Sequence, residues 1–222
     1  MTDLETLFRN NKGYMSHKFP HHMAIYDQFF SKFRNKDICV LELGVAHGGS
    51  LFIWKEYFGS QAKIYGADSH GYDFKDNQIK TFTGLFSDVE FIRKLKAEIP
   101  PIDILIDDGS HDSRDQRLVF EELFPHIKDE GLYVCEDLQT AFSEAWGGGY
   151  HKPESWIEHL KNFLDYQYGY YLDDDPICSS EFQHGRIYSM HFYPFLVVIE
   201  KSVSSMKKAN EGSIHTGELS AI

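Results

Sequence analysis

Short apolar segments, rich in β-branched residues, alternate along the chain with amphipathic segments. This alternation is typical of a parallel β-sheet whose strands are joined by helices. Because the strands of such a sheet run in the same direction, their carboxyl ends meet at one edge, where α/β proteins bind ligands. The predicted strands lie at 37–43, 62–67, 102–106 and 131–135, and a closing antiparallel hairpin is predicted for 187–191 and 195–200.

Apolar residues at helical spacing separate the predicted strands. One predicted helix covers 51–58, and another covers 156–164 and is opened by Pro153. A further helix begins at Ser113, which forms a capping box with Gln116. The sequence therefore predicts a doubly wound α/β domain that follows a helical N-terminal segment.

Acidic residues outnumber basic residues by 34 to 22, which gives a formal net charge of −12. A chain whose main partner is DNA or RNA would show the opposite balance. No stretch approaches the ~20 apolar residues that a membrane helix needs, and the polar N-terminus lacks the apolar core of a signal peptide. We therefore expect a cytoplasmic protein with a small-molecule partner and with neither a nucleic acid nor a membrane as partner.

The three cysteines, Cys39, Cys135 and Cys178, are widely spaced and form no C-x-x-C pair. Two of them lie inside apolar runs. This pattern favours buried free thiols over a disulfide framework or a zinc site.

Glycines are concentrated in the segment 42–50 (ELGVAHGGS), between the first predicted strand and its helix. Glycines there let the backbone approach a ligand closely, and helix N-terminal amides attract anionic groups. Asp68 ends the next strand, where a carboxylate can hold the two hydroxyls of a ribose. The pattern lacks both G-x-G-x-x-G and the P-loop Lys-Ser/Thr, which weakens NAD and ATP as ligands. An acidic residue two positions before the first glycine is more typical of S-adenosylmethionine (SAM) binding, and the alternative is a plain tight turn.

Acidic residues also follow two other predicted strands: the segment 107–111 (DDGSH) follows one, and Glu136 and Asp137 follow the next. Carboxylates brought together at one sheet edge repel each other unless a cation neutralises them. Oxygen ligands select a hard divalent ion, with Mg²⁺ preferred and Ca²⁺ or Mn²⁺ as alternatives. His111 could act there as a general base. In the alternative interpretation the carboxylates are solvated or cap backbone amides, and His111 merely packs.

The segments 104–111 (ILIDDGSH), 124–126 (FPH) and 131–140 (GLYVCEDLQT) resemble the metal-dependent sugar O-methyltransferases and, more distantly, the cephalosporin hydroxylase family. The Glu-Asp pair follows Asp108 at a distance of 28 residues, which makes the motif specific. The resemblance implies the class I SAM-dependent methyltransferase fold. That fold is a Rossmann-like, mostly parallel seven-stranded sheet with a C-terminal antiparallel hairpin.

The resemblance also implies roles for individual residues. It makes Asp108, Glu136 and Asp137 the metal ligands and His111 the catalytic base. The implied activity is SAM- and Mg²⁺-dependent O-methylation of a sugar or another vicinal diol in a natural-product or glycoside pathway, by an enzyme that can form a homo-oligomer. The residues predicted to bind SAM are Glu42, Gly44, Val45, Ala46, Ser50, Asp68, Ser69 and Asp107.

Two other functions stay open on the sequence. A catechol-type O-methyltransferase would chelate its aromatic diol with the same carboxylates. A SAM-binding protein without turnover, similar to hydroxylase-like relatives, would assist a partner. The presence of His111 beside the complete carboxylate set favours an enzyme.

The expected organisation is an N-terminal helical segment (1–36) that covers the cofactor cleft, a methyltransferase domain (37–206) and a disordered tail (207–222). Three histidines, His17, His21 and His22, lie in the first of these. A packed or solvated role is favoured for them over transition-metal binding.

Two further segments affect the predictions for the SAM site and the acceptor site. The family pattern Gly-Asp-Gln is replaced by Gly-Leu-Phe at 84–86, so the polar contacts expected near the adenosyl group are in doubt. The glycines at 147–149 fit equally well a loop over the acceptor site and a simple connector.

Overall fold

One mixed β-sheet organises the protein, which a computed structural model describes over residues 2–167 and 187–202. Within these residues the strand order is β3-β2-β1-β4-β5-β7-β6. The strands are β1 (Cys39–Leu43), β2 (Lys63–Asp68), β3 (Ile79–Thr83), β4 (Ile102–Asp107), β5 (Ile127–Cys135), β6 (Ile187–Tyr193) and β7 (Leu196–Lys201). The helices are α1 (Asp3–Asn10), α2 (His22–Phe30), α3 (Gly49–Phe58), α4 (Val89–Glu98), α5 (Ser113–Leu123) and α6 (Trp156–Gln167).

The first five strands are parallel, and the β6–β7 hairpin joins β5 in antiparallel orientation. The predicted doubly wound sheet with its closing hairpin is therefore confirmed. Leu43 pairs with Asp107, and Asp107 pairs with Cys135, so β1, β4 and β5 end level with one another. The residues that follow these strands consequently lie at the same edge of the sheet.

Two apolar clusters cover the two faces of the sheet. Helices α4, α5 and α6 pack on one face, and α1, α2 and α3 pack on the other. Side chains of a strand point alternately to opposite faces, and within β1 Leu41 therefore joins the first cluster and Val40 the second. Burial on both faces explains the continuous apolar runs that identified the strands in the sequence.

The N-cap of α5 lies one residue before the predicted one. The N-cap of α5 is Asp112, whose carboxylate accepts the Arg114 amide at 2.9 Å. Ser113 lies inside the helix, and the Gln116 side chain donates to the Cys135 Sγ at 3.2 Å, so the predicted capping box does not form. An aspartate at the N-cap combines a hydrogen bond with a favourable charge at the helix N-terminus.

Some predictions fall outside the residues that the structure describes. Cys178 and the predicted tail 207–222 are among them. Cys39 and Cys135 are buried free thiols, as predicted. No helix within 2–167 or 187–202 is long and apolar enough to cross a membrane.

His159 of α6 is a buried histidine on the face opposite to the N-terminal helices. Its ring lies 5.4 Å from that of Trp156 and 5.0 Å from that of Phe163, and its Nε2 has no hydrogen-bond partner. Burial and, to a smaller extent, the charge of Arg117 lower the pKa of His159 to about 4. The folded chain therefore holds this imidazole neutral.

Acidification should destabilise the protein through His159. The unfolded histidine titrates near 6.5, so the stability present above that pH is lost as the pH falls towards 4, by about 3 kcal/mol. We expect His159→Phe to remove this part of the pH dependence in urea unfolding between pH 7 and pH 4. The exposed His151→Phe is the control and should leave it unchanged; equal pH dependence in all three proteins would contradict the assignment.

Candidate active site

A cavity of about 300 Å³ opens at the edge where β1, β4 and β5 end. Three loops form its walls, and each begins directly after one of these strands. The N-terminal segment that precedes α2 forms the remaining wall. The lining residues are Met15, Ser16, His17, Lys18, Phe19, Gly44, Val45, Ala46, Ser50, Asp68, Asp108, Gly109, His111, Glu136 and Asp137.

Asp68 fixes the glycine-rich loop after β1. Its Oδ2 accepts the backbone amides of Val45 at 2.8 Å and Ala46 at 3.0 Å, and its Oδ1 accepts the amide of His70 at 2.9 Å. Burial opposes the charged form, but these three amides lower the pKa of Asp68 below its usual value. The ionised carboxylate therefore holds the loop in place on the cavity wall.

Glu42 is fully buried behind that loop. Its Oε2 accepts hydrogen bonds from the Ser50 hydroxyl at 2.6 Å and from the Trp54 indole at 3.1 Å. Its Oε1 lies 2.9 Å from the ammonium of Lys18. Glu42 thus connects β1, α3 and the N-terminal segment and does not line the cavity.

Lys18 also lines the cavity, although the sequence did not predict it as a site residue. Its Nζ lies 2.6 Å from Asp108 Oδ2 and 2.6 Å from Glu136 Oε1, and only 2% of its side chain is exposed. Burial opposes its charge, but Asp108, Glu136 and Glu42 together raise the pKa of Lys18 well above its usual value. Lys18 is therefore a cation at the centre of the carboxylate cluster.

Glu136 is also buried, and its second oxygen, Oε2, faces His22 Nδ1 at 3.7 Å. Burial alone would raise the pKa of Glu136, but the Lys18 ammonium lowers it to about 2. Glu136 is therefore ionised at neutral pH and is neutralised by Lys18.

Asp108, His111 and Asp137 form a second group on the more open side of the cavity. His111 Nε2 lies 3.4 Å from Asp137 Oδ2 and 3.9 Å from Asp108 Oδ1. Burial lowers the pKa of His111 below its usual value, which favours the neutral imidazole. The centroids of the Trp146 and His111 rings lie 6.0 Å apart in an edge-to-face arrangement, and the Thr140 hydroxyl donates to the His111 carbonyl at 3.0 Å.

The donor atoms fit a hard divalent cation. Among the described residues, ligand atoms lie within 4.8 Å of one another in two groups that share Asp108. One group adds His111 and Asp137, and the other adds Glu42 and Glu136. Lys18 already places a cation against the second group, which indicates that these carboxylates require positive charge nearby. Of the predicted ligands, Glu136 and Asp137 therefore lie in different groups.

The predicted SAM-binding residues divide into two sets. Gly44, Val45, Ala46, Ser50 and Asp68 line the cavity, whereas Glu42, Ser69 and Asp107 do not. The Asp107 carboxylate instead accepts the Tyr133 hydroxyl at 2.7 Å. Burial raises the pKa of Asp107 to about 6.

The segment that departs from the family pattern lies against the loop after β4. Phe86 is buried, and a Cβ added to Gly109 would lie 2.7 Å from its ring, while Leu85 is exposed. An apolar ring thus occupies the place where the resemblance led us to expect a polar contact. Its packing against Gly109 fixes the position of that loop.

The histidines near the N-terminus serve packing and hydrogen bonding. His21 and His22 both direct Nε2 towards the Pro194 carbonyl, at 3.1 and 3.3 Å. His17 lines the cavity beside Phe19. Neither metal-capable group in the part of the chain that the structure describes includes a histidine from this segment.

Comparison with solved structures identifies the fold. The MycE methyltransferase from the mycinamycin biosynthetic pathway, solved in complex with Mg and SAH, superposes with a TM-score of 0.79 at 33% identity. The match covers 90% of this chain and 55% of that chain. No family model matches the chain. The sheet order and this superposition make the protein a member of the class I SAM-dependent methyltransferases.

Sequence comparison with curated proteins shows which methyltransferases the chain is related to. The chain is 33% identical to the mycinamicin VI 2''-O-methyltransferase of Micromonospora griseorubida, over 97% of its own length and 55% of that enzyme. It is 35% identical to the 8-demethyl-8-(2-methoxy-alpha-L-rhamnosyl)-tetracenomycin-C 3'-O-methyltransferase of Streptomyces olivaceus, over 82% of its own length and 49% of that enzyme. The chain spans about half the length of the curated relatives it matches, and within that half it is a homologue of sugar O-methyltransferases.

Gly44 should tolerate no side chain, because the loop that follows β4 lies directly against it. Its φ is +88°, and an added Cβ would lie 1.9 Å from the Asp108 carbonyl oxygen. The left-handed backbone alone should cost at least about 1 kcal/mol, so we expect Gly44→Ala to lower Tm by at least about 2–4 °C in calorimetry. At Gly71 the nearest atom would lie 3.4 Å away, and Gly71→Ala is the control. Equal Tm values for the two variants would show that the contact does not constrain the loops.

Proposed function

We propose that this protein is a SAM- and Mg²⁺-dependent O-methyltransferase that acts on a hydroxyl of a sugar or another vicinal diol in a natural-product pathway. The observation that carries the proposal is that Asp108, His111 and Asp137 share one cavity with a glycine-rich loop. Homology to named sugar O-methyltransferases supports the choice of acceptor. The whole activity is inferred, because the chain spans about half of those enzymes.

The methyl donor is assigned to the side of the cavity lined by the loop after β1. Gly44, Val45 and Ala46 present backbone there, and Asp68 and Ser50 contribute oxygens. The backbone can approach a ligand closely at this place because Gly44 carries no side chain. SAM, when bound, supplies a methyl group that is already activated by its sulfonium.

Asp108, Glu136 and Asp137 are assigned as the residues that hold Mg²⁺. Carboxylate oxygens are the ligands that Mg²⁺ prefers, and the cluster already demands a cation, which Lys18 provides in part. When bound, Mg²⁺ supplies a Lewis acid that lowers the pKa of an attached hydroxyl. Asp108 is shared between the two carboxylate groups and is the central ligand in this assignment.

His111 is assigned as the general base. Its Nε2 takes the proton of the attacking hydroxyl while the new C–O bond forms and the sulfonium C–S bond breaks. Asp137 Oδ2, 3.4 Å from that nitrogen, then stabilises the imidazolium. The Trp146 ring lies beside the imidazole in an edge-to-face arrangement.

Replacing the base should separate turnover from donor binding. We expect His111→Ala to reduce methyl transfer by about 10²–10⁴-fold, because general-base catalysis contributes on this scale. Formation of SAH is measured by mass spectrometry, with SAM affinity measured by calorimetry on the same protein. SAM affinity should be unchanged, since His111 lies on the acceptor side.

His126→Gln is the control for that experiment. His126 donates to the Ile99 carbonyl at 3.1 Å, far from the cavity, and glutamine can retain this bond. Full turnover in His111→Ala would refute the assigned base. Failure of SAM to bind the unaltered protein would refute the proposed activity as a whole.

Chelation tests whether methyl transfer requires a divalent cation. We expect EDTA to stop SAH formation and Mg²⁺ to restore it, because the attacking hydroxyl then loses its Lewis acid. Methyl α-L-rhamnopyranoside and catechol are offered as acceptors, so that turnover of one or the other distinguishes a sugar enzyme from a catechol enzyme. Turnover that persists in excess chelator would exclude the metal.

A matched pair of variants tests whether Asp137 is one of the metal ligands. Asp137→Asn should raise the Mg²⁺ concentration needed for half-maximal activity. Asp129→Asn, at an exposed position near the other end of β5, should not. An equal Mg²⁺ requirement in both variants would remove Asp137 from the ligand set.

A further inference from the structure

Lys18 already contacts one oxygen of each of two carboxylates that are assigned to the metal. Its ammonium lies 2.6 Å from Asp108 Oδ2 and 2.6 Å from Glu136 Oε1. The remaining oxygens of these two carboxylates point elsewhere, Oδ1 of Asp108 towards His111 and Oε2 of Glu136 towards His22. Glu136 can therefore join Asp108 on a single ion only through an oxygen that now contacts Lys18.

An ammonium and a divalent cation compete for these oxygens. Two cations in contact with the same pair of carboxylate oxygens would lie within a few ångströms of each other and would repel. The repulsion between them would be strong because Lys18 is buried. Binding of a divalent cation to both oxygens therefore disfavours the present position of the ammonium.

The backbone around Lys18 is irregular and is hydrogen-bonded on both sides of this residue. Residues 11–19, which we name the strap, contain neither helix nor strand. On one side of Lys18 the strap is fixed by the hydrogen bond from the Gly49 amide to the Met15 carbonyl, at 3.1 Å. On the other side His21 and His22 are fixed to the Pro194 carbonyl. Lys18 lies between these two anchors, and neither of their hydrogen bonds involves its ammonium.

We infer that Lys18 is a positioning residue that holds Asp108 and Glu136 in place before metal binding and is displaced from them by the divalent cation. The inference rests on the proposed function, because it assumes a metal at these carboxylates. Its displacement would carry part of the strap away from the cavity, since Ser16, His17 and Phe19 line the same wall. Metal binding and access to the cavity would then be linked.

Acetylation of lysines by sulfo-NHS-acetate tests the displacement directly. In EDTA the buried Lys18 amine should be protected, and in saturating Mg²⁺ its labelling should rise at least about tenfold, as expected when a minor open state becomes the major one. Mass spectrometry of peptides quantifies each site. Lys75 is the internal control, because 85% of its side chain is exposed and its labelling should be equal in both conditions.

The outcomes separate this inference from the proposed function. Calorimetry that detects Mg²⁺ binding while Lys18 stays protected would overturn the displacement and leave the metal-dependent enzyme intact. Absence of Mg²⁺ binding would overturn both. A rise in Lys18 labelling that follows the binding isotherm would support the displacement.

A variant pair gives an independent measurement. Lys18→Met leaves Glu42, Asp108 and Glu136 without their buried cation, so its Tm in EDTA should fall and Mg²⁺ should raise that Tm more than it raises the wild-type value. Lys12→Met changes an exposed lysine of the same strap and should behave as wild type. Equal Mg²⁺-induced shifts in wild type and Lys18→Met would overturn the inference. If Lys18→Met does not fold, the labelling of the unaltered protein decides alone.

Discussion

Repulsion between buried carboxylates is the constraint on which the rest of the site depends. The register of β1, β4 and β5 brings acidic side chains to one edge of the sheet, and three of them surround a single lysine. A buried charge that loses its partner is strongly destabilising. The Lys18 ammonium thus ties the N-terminal strap to the carboxylates at the sheet edge, and it contributes to both the fold and the site.

Backbone strain coincides with the same edge. Ala46, His111 and Asp137 have φ values of +48°, +59° and +51°, and each lies in a loop that follows one of the three strands. Such conformations are rare outside glycine and persist where the surroundings over-determine them. Here Asp68 holds the first of these loops, and the Thr140 hydroxyl holds the second. The side chains of the site are therefore carried by loops with little freedom.

The sequence was sufficient for most of the cavity wall and for every strand except β3, because burial on both faces produces apolar runs and strand ends converge. The edge strand β3 is largely unburied and carries no such run. It was insufficient where the interacting residues lie far apart along the chain. Lys18 lies 90 residues from Asp108 and 118 from Glu136, and no local pattern links them. The sequence did show that the carboxylates needed a cation. The predicted cap at Ser113 was wrong by one residue, because Asp112 and Ser113 are both good N-cap residues and only the backbone geometry decides between them.

The contact between Trp146 and His111 has an optical consequence. The chain contains three tryptophans, and Trp54 and Trp156 are fully buried, whereas Trp146 is 41% exposed. A water-soluble quencher should therefore reach the indole beside the imidazole and spare the other two. The intrinsic fluorescence of the protein thus includes a component that reports, without any label, on what enters the cavity next to His111.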